Sequence, residues 1–368
     1  MKSIGIDRKK RLQEEQDKGH NRWHPDILPI LEVEPGEEVV VETRDALDGQ
    51  ILPELTPTEL LYIETNVVHP LTGPIYVKGA SPGDLLEVEY LEITSQPNGF
   101  TLFRPGSGFL GDLFKEPYIA HWNIEGESAT SPQLPGVRIP DSSFMGTAGV
   151  APSHNQIKQW TYRERLLADQ GNPIALPNPK EAIPKIESIA TEGLRTVPPR
   201  ENCGNVDVKQ LTKGSKLFIP VNVPGALYSV GDGHFAQGDS ECCLTAIEVG
   251  ATTRIKFQLH KEVASERQIR FPMFTHREYF DSIDWLAPKR FTATTGMPIH
   301  VDGTNENGNL NLAARNALLE MLNLLQKRGW TIEQAYIICS VAVDLKISNI
   351  VNMPNVVVSA FLSEDIFE

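Results

Sequence analysis

The sequence predicts an α+β fold that is mainly β, and three observations carry that reading. Short apolar runs broken by turn residues fill residues 30–93, strand-like text resumes at Lys216 and runs to about Leu259, and strong helical periodicity is confined to the stretch after residue 310. Short strands at such spacing suggest a sandwich or barrel rather than alternating βαβ units.

In chain order, residues 1–19 read as a charged N-terminal extension and residues 20–159 as a β-rich domain. Within the latter, Glu38 to Thr43 and Gly73 to Val77 are strand candidates. Ser81-Pro82-Gly83-Asp84 is a turn feeding the alternating run Leu85 to Ile93. Residues 160–200 turn polar and carry Pro173, Pro177, Pro179, Pro184, Pro198 and Pro199, as expected of an inserted arm that contacts a partner or covers a site. Residues 201–368 form the remaining domain, with an acidic hairpin over 229–248 and two C-terminal helices. Leu310, Ala313, Ala314, Ala317, Leu318, Met321, Leu322 and Leu325 make one apolar stripe at helical spacing. Arg328-Gly329 ends that helix, and Thr331 to Gln334 is a capping box opening the next.

Bulk properties exclude several function classes. At 368 residues the chain exceeds one small core, so two domains or one elaborated domain are expected. A net charge of -14 with no basic stripe argues against nucleic acid and anionic membranes as partners. The charged start, Met1 to Lys18, lacks the apolar region of a secretory signal, and no run of about 18 apolar residues offers a membrane span, so a cytoplasmic protein is expected. Cys203, Cys242, Cys243 and Cys339 lack the spacing of a structural zinc site or a disulfide framework.

The chemistry concentrates at Ser229 to Glu241, where three carboxylates and an imidazole fall within ten residues. On a strand Asp232 and His234 share a face, as do Asp239 and Glu241. A turn at Phe235 to Gly238 would fold the second pair against the first. Carboxylates that close repel unless a divalent cation neutralises them or some take up protons, so a metal or acid/base site is expected.

Other motifs accompany it in order: His20 to Asp26 (HNRWHPD), Thr43 to Gln50 (TRDALDGQ), His69 with Leu71 to Lys78 (LTGPIYVK), Gly146 to Ser153 (GTAGVAPS), Arg195 to Asn205 (RTVPPRENCGN) and Gly231 to Glu241 (GDGHFAQGDSE). In this series the chain resembles the acetamidase/formamidase family, over nearly its whole length, and its arm looks most like the formamidase branch. The resemblance implies a β-sandwich-like portion joined to an α+β portion, hydrolysis of formamide to formate and ammonia with acetamide or another short amide as rival substrate, and a homo-oligomer. Where family members commonly carry GDGE, this chain has Gly238-Asp239-Ser240-Glu241, which changes the turn and keeps the acidic pair.

Amide hydrolysis needs an activated nucleophile, stabilisation of the developing oxyanion and a proton for the leaving ammonia. The expected division of labour gives Asp45, Asp232 and His234 a divalent ion, zinc by its mix of imidazole and carboxylates, with no organic cofactor. Glu241 carries the proton, and Asp239 supports it or is only a turn residue. His20, His24 and His69 are candidates for the substrate pocket; Pro25 disfavours helical geometry at His24, so His20 and His24 are not a helical metal pair. Cys243, two residues from Glu241, offers a covalent alternative with Glu241 as base. Glu125 is a further acid candidate; Asp45 has a plainer role as an Asx-turn residue, Cys243 as a buried apolar one, and Glu125 as a surface charge. A cupin-like metal enzyme and a calcium-binding β-sandwich module are the rival readings; the first predicts a second His beside His234, and none is present.

Overall fold

The computed structural model describes residues 1–279, 288 and 290–368, and it is α+β with strands dominant. Two sheets share one apolar core. The six-stranded sheet runs in the order Lys2–Ile4, Glu38–Thr43, Ala251–His260, Leu85–Ser95, Ser215–Pro220 and Met273–His276. The eleven-stranded sheet centres on Tyr228–His234, which pairs with Phe144–Gly149, Glu248–Val249 and Leu71–Val77. Val39, Val41, Val88 and Phe257 of the first sheet pack against Ile75, Met145, Ala148 and Val230 of the second. Each sheet thus takes strands from both sides of residues 160–200.

The alternation read in Glu38–Thr43 is realised residue by residue, with Val39, Val41 and Thr43 buried. The run expected from Leu85 extends to Ser95, buried at its start and alternating only toward its end, because its first half is covered on both faces. Helix Leu310–Lys327 buries Ala313, Ala317, Leu318, Met321, Leu322 and Leu325 on the expected stripe, and Gly329 takes a φ of +100° just beyond its end. Thr331 caps helix Ile332–Ala342 with the reciprocal Gln334 contact. These helices lie against a three-stranded sheet (Phe291–Gly296, Val357–Ser363, Val343–Asn349) and share a core with Phe235, Ala236, Cys242, Cys243 and Ile247. The segment that follows the central strand is therefore held by the C-terminal portion.

The Pro-rich stretch is tied down rather than free. Helix His154–Ala168 begins before it, capped by Ser153, and its Ile157 and Trp160 pack with Trp23, Leu71 and Leu194. Leu194 and Arg195 pair with Trp23 and Arg22 in a short antiparallel ladder, which lays the arm across the 19–24 segment. Among the described residues no helix is long and apolar enough to cross a membrane.

Candidate active site

The central strand places Asp232 and His234 on one face, as the two-residue period requires. His234 Nε2 lies 3.4 Å from Asp232 Oδ1. The turn expected at Phe235 to Gly238 does not fold Asp239 and Glu241 back onto the strand. The antiparallel neighbour is instead Glu248–Val249, with Glu248 directly across from His234 and its Oε2 3.1 Å from Nε2. The reason is tertiary capture. Gly238 N–H donates to the Ser340 carbonyl, Asp239 N–H donates to Asp344 Oδ1, and a Cβ on Gly238 would sit 2.3 Å from the Val343 carbonyl oxygen. Residues 238–239 are thereby committed to the C-terminal helix–strand junction. The chain then returns through left-handed backbone at Glu241 (φ +49°), whose Oε1 comes to 4.0 Å from His234 Nε2.

Around this centre the partners fix orientation. Gln237 Nε2 donates to the Asp207 carbonyl, so its Oε1 faces His234 Nδ1 at 3.0 Å. That carbonyl oxygen can only accept, so Nδ1 carries a proton, and Nε2 is the ring atom turned toward Asp232 and Glu248. Thr147 Oγ1 stands 3.0 Å from Asp232 Oδ2 and 2.7 Å from Asn205 Oδ1. His69 Nε2 is 3.8 Å from Asp232 Oδ2. Gly146 borders the cluster so closely that a Cβ there would lie 2.5 Å from Asp207 Oδ1 and 2.9 Å from Asp232 Oδ2.

Two sets of ligand-type atoms meet here, Asp232 with His234 and Glu248, and Asp207 with His234 and Glu241, each within 4.8 Å of one another. His234 Nε2, Glu248 Oε2 and Asp207 Oδ1 are buried and have no hydrogen-bond partner. Buried orphans of that kind are costly unless something binds them. Two ligands about 2.1 Å from a tetrahedral ion stand about 3.4 Å apart, close to the observed spacings of the first set. The donor set of one imidazole and two carboxylates fits a divalent cation.

The protonation pattern is divided across the cluster. Burial opposes ionisation of Asp232, but the imidazoles of His69 and His234 hold its carboxyl well below the usual range. Burial, then the neighbouring carboxylate of Asp232, raises Asp207, and burial with Asp207 beside it raises Glu241 well above the ordinary value. Burial would lower His234, yet Glu248 and Asp232 raise it well above its ordinary value. One wall of the site is a carboxylate held ionised, and the other a carboxyl pair that keeps a proton.

Asp207, Asp232, Glu241, Glu248 and His69 line a cavity of about 350 Å³ whose remaining wall is largely apolar, including Leu47, Val68, Leu102 and Leu244. Ala175, Arg195 and Val197 come to it from the arm. Other sequence candidates lie apart. Asp45 spends its carboxylate on the amides of Leu47 and Gly49, the Asx turn that was its plainer role, and faces a separate cavity. Asp239, half-buried, accepts from Gln210 and sits near Lys209. His20 bonds Ser229 Oγ through Nε2 at 2.7 Å, and His24 lies beside Asp26 and His154. Cys243 Sγ is buried against the Leu102 and Thr245 carbonyls, and burial pushes its thiol up. Sequence reasoning missed Glu248 and Asp207. A lone carboxylate inside the apolar run Ala246-Ile247-Glu248-Val249 was the available signal for the first, and proximity to the Asn202 to Asn205 motif for the second.

The acetamidase/formamidase family profile matches residues 5–368. The chain is 35% identical to an acetamidase of Mycolicibacterium smegmatis, over 91% of this chain and 88% of that one. It is 34% identical to a formamidase of Methylophilus methylotrophus, over 100% and 94%. A solved gamma lactamase from Delftia acidovorans superposes with a TM-score of 0.94 at 33% identity, covering 100% of this chain and 94% of that one. The chain belongs to the acetamidase/formamidase family.

Proposed function

We propose that this family member hydrolyses the C–N bond of a small primary amide, formamide to formate and ammonia, with water as nucleophile. The observation that carries the reading is His234 Nε2, buried between Asp232 and Glu248 with no hydrogen-bond partner and close to the carboxyls of Asp207 and Glu241. A divalent ion, zinc by donor type, would be held by Asp232, His234 and Glu248, where it would acidify water and polarise the amide carbonyl.

The chain's own groups do the rest. Thr147 and His69 keep Asp232 oriented and ionised, and Gln237 fixes the His234 tautomer. Glu241, with Asp207 beside it, holds the proton that the departing nitrogen needs, since an amide anion is too poor a leaving group to go unprotonated. The apolar wall excludes bulk water and strengthens these interactions. Water is favoured over Cys243 because that thiol is buried against the Leu102 and Thr245 carbonyls behind the cavity wall and its pKa is raised, so little thiolate forms.

Acetamide is the rival linear substrate, and the named activity of the Delftia structure adds a cyclic amide to the comparison. Ammonia release from formamide and acetamide, and ring opening of a γ-lactam, by wild type and Glu241→Gln test the reading. Amide turnover by wild type that falls at least about 100-fold in the variant supports it. A near-normal rate in Glu241→Gln rejects Glu241 as proton carrier, and no turnover of any amide rejects the activity.

A further inference from the structure

Arg195 on the cavity wall is a charge without a counter-charge. It is 6% exposed, its Nη1 donates to Asn66 Oδ1 at 3.0 Å and its Nη2 to the Thr65 carbonyl at 3.1 Å, and both acceptors are neutral. Its Nε is buried with no partner, and among the described residues no carboxylate lies within ion-pairing distance. Glu64, whose charge it feels, is bound to Lys180 at 2.7 Å and to the Asn66 amide. A second buried guanidinium, Arg22, is near enough to repel it and likewise donates only to neutral oxygens, the carbonyls of Asn21, Asn178 and Lys180 among them. Uncompensated buried cations are costly, and a fold that keeps one beside a cavity leaves room for an anion.

The proposed reaction supplies that anion. A neutral amide and water enter; at neutral pH a carboxylate and an ammonium ion leave. Asp232 and Glu248 attract the ammonium, and a cation elsewhere on the wall gives the acyl product a hold apart from the catalytic cluster. Arg195 shares that wall with His69, whose backbone N–H donates to Thr196 Oγ1 at 2.5 Å, and the arginine charge is felt at the His69 ring. We infer that Arg195, through its free Nε and guanidinium edge, is a binding site for the carboxylate product and for carboxylate inhibitors. The inference rests on the amide-hydrolysis reading for the identity of the anion.

Calorimetric titration of sodium formate into wild type and Arg195→Gln at fixed ionic strength, with circular dichroism to verify folding, is the test. Wild type binds formate and the variant does so roughly tenfold or more weakly, since a charge-assisted hydrogen bond to a buried group is lost. Equal affinities, or no binding by wild type, overturn the site. A carboxylate held only at the acidic cluster or its ion would bind both proteins alike. Should Arg195→Gln not fold, the ¹⁵Nε resonance of Arg195 in wild type, assigned with Arg195→Lys, decides: a formate-dependent shift supports the site and its absence overturns it. Arg195-dependent formate binding in a protein that releases no ammonia supports the site and rejects the reaction. Ammonia release with equal formate affinities rejects the site alone.

Discussion

Glu248 stands directly across an antiparallel ladder from His234, with Oε2 3.1 Å from Nε2 and Oε1 accepting from the Ala246 amide. The pairing fixes the Glu248 carboxyl beside His234 rather than leaving it a mobile surface acid, because backbone register and a local hydrogen bond both hold it. Glu248→Gln keeps shape and removes the charge. We expect metal content and kcat/KM to fall together, by roughly 100-fold in activity, with the fold intact. Elemental analysis beside an ammonia-release assay checks this; a variant with full activity would remove Glu248 from the site.

Gly146→Ala is expected to damage the site without touching a charged group. Its Cβ would meet Asp207 Oδ1 at 2.5 Å, His234 Cε1 at 2.8 Å and Asp232 Oδ2 at 2.9 Å, so two carboxylates and the ring must move. Overpacking of this kind costs about 1 to 3 kcal/mol, and small misplacements of reacting groups cost about 100-fold in rate. Thermal melts and steady-state kinetics measure the two effects. Unchanged kinetics would show that the strand pair tolerates more movement than the contacts allow.

His20 makes a prediction about acid. Burial lowers its pKa to about 4, against a weaker favourable hydrogen bond at the Arg22 backbone. The unfolded chain, with an ordinary His pKa of about 6.5, binds the proton first, so the stability contributed by the neutral ring is complete above that value. It is lost as pH falls from about 6.5 to 4, by roughly 3 kcal/mol. Denaturant unfolding of wild type and His20→Asn at pH 7 and pH 4 checks the sign. The variant should lose less stability on acidification; an equal loss would mean that His20 is not the responsible group.

Much of this architecture was legible where one local rule dominates. The 310–327 helix follows from its stripe and its glycine stop, the Thr331 cap from its four residues, and the 38–43 strand from alternation. The nearness of Asp232 and His234 is what the strand period predicts, although Asp232 takes a left-handed φ of +58° within the strand. The identity of the residue opposite His234 was not legible, because Phe235 to Gly238 look like a hairpin turn until Ser340, Val343 and Asp344, a hundred residues later, claim the backbone of Gly238 and Asp239. Asp207 was hidden for the same reason, since only the fold brings it to His234. Asp45 shows the converse: a carboxylate in a turn sequence was read as a ligand, and its own turn consumed both oxygens.

The most direct test of the central claim is activity against bound metal. Protein stripped by exhaustive chelation should release no ammonia from a small amide, and stepwise addition of zinc should restore the rate in proportion to occupancy, levelling at one ion per chain in wild type and failing in His234→Ala. Full amide turnover by protein shown to hold no ion would contradict the account.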